Sequence, residues 1–154
     1  MYAWGKSLVR NPPRDPMLRA IAWGQCLAYT AYQALENRGY LASKGIWSKR
    51  EGKDILADWL WSSRMWMIGV ALEFVRLARV RQLWKQDATV QEKEKRQVAW
   101  TREMIANLAN APLTVHWSVA GGTLDDTTVG LFGMVGGLVG FLERWKIAGD
   151  QLGV

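Results

Sequence analysis

The alternation of apolar and polar positions along this chain predicts helices and shows no strand or hairpin pattern. Asp15-Pro16 follows the stretch Asn11-Pro12-Pro13-Arg14. An aspartate at the N-cap with proline at the first helical position opens a helix. Gly39, just past Asn37, is the expected C-cap, which puts this helix over about 15–37. Residues 20–35 hold no charge, a run of 16 positions. At 1.5 Å per residue that is roughly 24 Å, short of the roughly 30 Å hydrocarbon core of a bilayer. Gln25, Thr30 and Gln33 make the run more polar than a standard span, so it fits a buried core helix or a membrane helix equally.

Residues 40–53 read as a loop with Lys44, Lys49, Arg50 and Lys53. A second helix is expected over 54–86. Trp61, Met65, Ile68, Leu72 and Val75 repeat at helical spacing and form its apolar face, with Ser62, Gly69, Glu73 and Arg76 on another. Its last turns turn basic at Arg76, Arg79, Arg81 and Lys85. Such a gradient suits a helix that dips toward a bilayer and keeps its cations at anionic headgroups. It equally suits a surface helix with C-terminal cations facing its own dipole. A polar helix follows over about 90–110, ending before Pro112, because the residue preceding a proline is pushed out of the α region. Residues 114–122 are expected to be non-helical or only loosely helical, closing on Gly121-Gly122.

Asp125 or Asp126 caps the last expected helix, 125–146. Within it, residues 127–142 carry no charge and form the most apolar segment of the chain. Gly130, Gly133, Gly137 and Gly140 fall at spacings of three, four and three, and Gly136 adds a second small-xxx-small pair with Gly140. Each glycine costs about 1 kcal/mol in an exposed helix interior. Their spacing therefore asks for a reason, and the reason expected here is helix–helix contact, in a bilayer or in a tightly packed core.

Composition changes this picture in two ways. The chain has 154 residues, enough for one domain: a tail over 1–14 and a single helical domain over 15–154. Ten tryptophans are unusual at this length. Trp66, Trp117 and Trp145 are candidate interface aromatics, although tryptophans also serve packing and protein interfaces. The net charge is +6, which admits an acidic partner, a nucleic acid or an anionic surface. The basic residues are scattered and form no known nucleic-acid module, so no nucleic acid is expected.

Candidate chemistry is sparse. Cys26 is the sole cysteine and can form no internal disulfide. His116 has no second histidine or carboxylate near it in sequence and is expected to serve as a structural hydrogen-bonding group. The adjacent carboxylates Asp125 and Asp126 point different ways and read as capping groups. No P-loop, HExxH or GxSxG pattern occurs, so no enzyme, cofactor or metal is expected.

The last third carries a recognisable pattern. Ala111-Pro112-Leu113-Thr114-Val115-His116-Trp117-Ser118, then Gly121-Gly122-Thr123-Leu124, then Val129-Gly130-Leu131-Phe132-Gly133 and the glycine-spaced stretch to Trp145, resembles the C-terminal end of the peroxisomal biogenesis factor 11 (peroxin-11) family. Ser62-Ser63-Arg64-Met65-Trp66 and Asp15-Pro16-Met17-Leu18-Arg19 resemble two earlier motifs of that family, in the same order. The pattern resembles that of tryptophan-rich fungal-type members.

The resemblance implies an all-α, membrane-associated protein of about four helices at the peroxisomal membrane. It implies promotion of peroxisome elongation, proliferation and fission by membrane insertion and self-association. Its implied partners are membrane lipids, itself and the fission machinery, and no enzymatic activity is implied. Family members usually carry a longer N-terminal region with an amphipathic helix; only residues 1–14 precede Asp15, so the resemblance covers the family's C-terminal part. In that setting Gly130, Gly133, Gly136, Gly137 and Gly140 would pair helices. Arg76, Arg79, Arg81 and Lys85 would lie at headgroups. Two alternatives stand beside this reading. One is a channel-type role in metabolite permeability, with His116, Asp125 and Asp126 at the mouth of the last helix. The other is a soluble helical adaptor.

Overall fold

The computed structural model describes residues 2–46, 52–84 and 90–152. They form five helices: α1 (Tyr2–Arg10), α2 (Pro16–Ser43), α3 (Gly52–Leu83), α4 (Val90–Trp117) and α5 (Asp126–Leu152). The fold is all-α as expected, with one helix more than the four anticipated. The addition is α1, which lies within the segment expected to be a tail.

Two helix starts follow local capping chemistry. The Leu18 amide donates to Asp15 Oδ1 at 2.9 Å, and Pro16 occupies the first turn. At α5 the Thr128 amide donates to Asp125 Oδ1 at 3.0 Å. Each aspartate satisfies one of the amides that a helix N-terminus leaves unpaired.

Two helix ends differ from expectation. Gly39 does not stop α2, which runs on to Ser43 and terminates through Gly45 at φ 69°. Gly39 is instead a buried contact: a Cβ there would lie 2.6 Å from Trp59 Nε1 of α3. Pro112 does not stop α4 either, and the helix continues to Trp117. Pro112 has no N–H to offer the Leu108 carbonyl one turn back, and Leu108 is 56% exposed. Beyond the proline, Leu113 and Thr114 are buried, and the Thr114 hydroxyl donates to the Ala111 carbonyl at 2.7 Å. Burial of that turn outweighs the proline's local preference.

Close backbone packing runs between consecutive helices, α1 on α2, α2 on α3, α3 on α4 and α4 on α5, with α2–α3 the most extensive. The face of α3 that is buried is not its apolar stripe. Trp61, Ile68 and Val75 are 51%, 43% and 41% exposed. Asp58, Ser62, Gly69, Val70 and Leu77 are buried instead. The reason is close approach: a Cβ on Gly69 would lie 2.7 Å from the Tyr29 ring of α2, and one on Gly24 would lie 3.1 Å from Leu72. Small residues let the two backbones come together, and paired polar groups fill the rest. Asp58, buried, pairs with Arg38, and the Gln25 amide donates to Glu73 Oε2 at 2.7 Å.

The membrane-spanning expectation is corrected here. Among the described residues no helix is long and apolar enough to cross a membrane. In α5 the uncharged run is 16 residues, roughly 24 Å of helix. Five glycines dilute its apolar content, and Asp126 and Glu143-Arg144 bound it. The readings that depended on insertion fall with it: anchoring in the peroxisomal membrane, elongation and fission by insertion, and the channel.

Candidate functional site

The order of packing makes α5 different from the other long helices. It contacts α4 on one side only, and none of its described residues is buried. Leu131, Met134, Leu138, Phe141 and Leu142 all stand exposed on it. Around Gly130, Gly133, Gly137 and Gly140 there is nothing within 4 Å of where a Cβ would sit. Gly136 alone of the five meets another helix, where a Cβ would lie 3.2 Å from Asn110 Oδ1 of α4. The glycine stripe is thus split: one member faces α4 and four face open space.

The basic residues at the end of α3 are engaged inside the fold. Arg76 pairs with Glu73 one turn back and with Glu103 of α4. Arg79 pairs with Asp15 at 2.7 Å. Arg81 lies over the Trp100 ring at 4.6 Å, while the Trp100 indole N–H donates to the Leu77 carbonyl at 2.9 Å. Lys85 lies outside the described residues. Burial alone would raise the Glu73 carboxyl, but the Arg76 guanidinium and the Gln25 amide hold it below the ordinary glutamate range. The Arg79 guanidinium and the Leu18 amide likewise hold Asp15 low. These cations fasten α3 to α2 and α4.

The three candidate aromatics divide in the same way. Trp145 is 70% exposed and stacks on Phe141 with centroids 5.8 Å apart. Trp66 and Trp117 meet each other, 6.0 Å apart, across α3 and α4. They form part of a cleft of about 520 Å³ where α2, α3 and the α4–α5 turn converge. Tyr32, Trp59 and His116 complete its aromatic lining, and Glu36 is its carboxylate.

That turn is built around His116. Thr123 and Leu124 amides both donate to Nδ1, each at 2.9 Å. Gly121 and Gly122 adopt φ 84° and 73°, in the left-handed region. A Cβ on Gly122 would fall 2.3 Å from His116 Cε1, so a larger residue could not wrap the ring. The structural reading of His116 agrees with this geometry. The cleft itself was not foreseen from sequence. Its lining comes from three separate stretches, and the only local hint was a tryptophan count that said nothing of proximity.

Comparison with known proteins places these motifs in one lineage. The pattern of the family described as "Peroxisomal biogenesis factor 11 (PEX11)" matches residues 2–145. An uncharacterized protein of Schizosaccharomyces pombe is 33% identical over 112 residues, 67% of this chain and 52% of that protein. The chain thus spans about half the length of the curated relative it matches. No solved structure matches it. With the family pattern covering nearly the whole sequence, the chain belongs to the peroxisomal biogenesis factor 11 family.

Proposed function

We propose that this chain is a non-catalytic helical adaptor in peroxisome biogenesis, which works by docking helix against helix on the open face of α5. The occupant of that face is a second copy of the chain. The observation that carries this reading is the unpartnered glycine stripe with large apolar residues beside it. One helix thereby presents both grooves and knobs, as a two-fold self-complementary contact requires. Residues 127–142 are uncharged, so two copies meet without repulsion. The peroxisomal setting comes from the family.

Sedimentation of the purified chain tests the docking. A concentration-dependent dimer is expected, and Gly133→Leu plus Gly137→Leu should convert it to monomer. Both positions have room for a side chain, so helicity by circular dichroism should be unchanged. A monomer at every concentration, or an unaltered dimer in the double variant, would refute the α5 contact. In cells, a tagged copy should accompany a peroxisome marker and be released by carbonate extraction; retention in the pellet would refute the adaptor.

A further inference from the structure

We propose that the cleft between α2, α3 and the α4–α5 turn binds an alkylated ammonium group, the chemistry of a quaternary ammonium such as choline. Four phenol and indole rings line it, Tyr32, Trp59, Trp66 and Trp117, beside the imidazole of His116. Aromatic faces carry partial negative charge and attract a cation within about 6 Å of the ring centroid. The lining holds a single carboxylate, Glu36, and neither lysine nor arginine among the described residues. Burial, with the Glu36 carboxylate close by, pushes the Tyr32 phenol up to about 12. The phenol therefore keeps its proton and adds no second negative charge to the lining.

The remaining polar groups narrow the ligand further. The Ser62 and Ser63 hydroxyls donate to the Trp59 carbonyl at 2.8 and 3.0 Å, so they have no proton to offer an anion and present only oxygen lone pairs, which suit a cation. His116 Nδ1 is committed to the turn. A primary ammonium would bring three N–H donors that each need an acceptor, into a lining that is mostly apolar. A methylated ammonium needs none, and its dispersed charge suits ring faces. An anion would meet Glu36 with no compensating cation. The size, about 520 Å³, falls within the range of small-molecule sites. This inference stands on the cleft alone and does not depend on how α5 docks.

The test titrates choline chloride into the full chain and follows the indole N–H resonances of Trp59, Trp66 and Trp117 by NMR. Saturable shifts confined to those three are expected. The neutral isostere 3,3-dimethylbutan-1-ol should bind about tenfold more weakly, as should choline to the Glu36→Gln variant. Glu36 is exposed, so its replacement leaves the fold intact by circular dichroism. Glu36→Asp should recover part of the affinity. Vesicles identify the source of the group. Binding of free choline assigns a small molecule, whereas a response to phosphatidylcholine vesicles without any to choline assigns a lipid headgroup. Equal binding of the neutral isostere, unchanged affinity in Glu36→Gln, an equal response to phosphatidylglycerol vesicles, or no saturable shift with any of these probes would overturn the proposal.

Discussion

The α2–α3 interface and helix α5 both use glycine, and they use it to opposite ends. Between α2 and α3, Gly39 and Gly69 are buried, and a Cβ at either would meet an aromatic ring at under 3 Å. On α5, four glycines face nothing within 4 Å. The first set is filled by the chain's own aromatics, Trp59 and Tyr29. The second keeps the helix-propensity cost of glycine without any packing return inside the monomer. A glycine stripe by itself therefore signals possible close approach, and only the partner's position tells whether the chain meets that demand internally.

The sharpest way to break the comparison is at the filled interface. Gly69→Leu should destabilise the fold by about 3 kcal/mol through overpacking against Tyr29, read as a lowered denaturation midpoint. A loss below about 1 kcal/mol would mean that the two helices separate easily. Next comes the buried ion pair. Arg38→Met takes the guanidinium from Asp58, whose side chain is 3% exposed, while Arg38 itself is 45% exposed. Removing one partner of a fully buried pair costs about 3–5 kcal/mol, and solvent access on the Arg38 side reduces the expected loss to about 2 kcal/mol.

Acid should loosen the same region in a defined direction. Glu73 has a folded pKa below its ordinary 4.5, and Asp15 one below its ordinary 3.8. A depressed carboxyl binds its proton less readily when folded, so its contribution is complete above the ordinary value and is lost as pH falls through the folded one. Urea midpoints should therefore be flat above about pH 5 and fall below it. In Arg76→Gln the Glu73 carboxyl loses its guanidinium while its burial remains, so the acid decline should begin at higher pH than in the wild type. An identical pH profile would show that Arg76 does not set the Glu73 carboxyl.

The smallest effect belongs to the open face and has the opposite sign. Gly133→Ala and Gly137→Ala should each stabilise the isolated monomer by up to about 1 kcal/mol, because alanine favours helix and the space is free. Thermal melts at concentrations low enough to keep the chain monomeric would show this. A loss of stability there would mean that α5 is already packed.

Local chemistry was legible in the sequence. Asp15-Pro16 marked where α2 begins and the pair Asp125-Asp126 where α5 begins, with Asp125 the one that caps, because a cap acts within three residues of itself. The all-α class followed from apolar spacing, the hydrogen-bonding role of His116 from its isolation, and the family from motifs kept in order. What the tertiary structure decided lies at long sequence separation. Arg79 finds Asp15 64 positions away, and Arg76 finds Glu103 27 positions away, so a run of cations that resembled a surface patch became the ties of a bundle. Gly39 became an interior contact because Trp59 lies opposite it, and Pro112 stayed inside α4 because burial of the following turn outweighed its local preference. The aromatic cleft and the division of glycines into filled and open sets arose for the same reason. Capping and periodicity are properties of neighbours in sequence, whereas close approach and charge neutralisation are properties of neighbours in space.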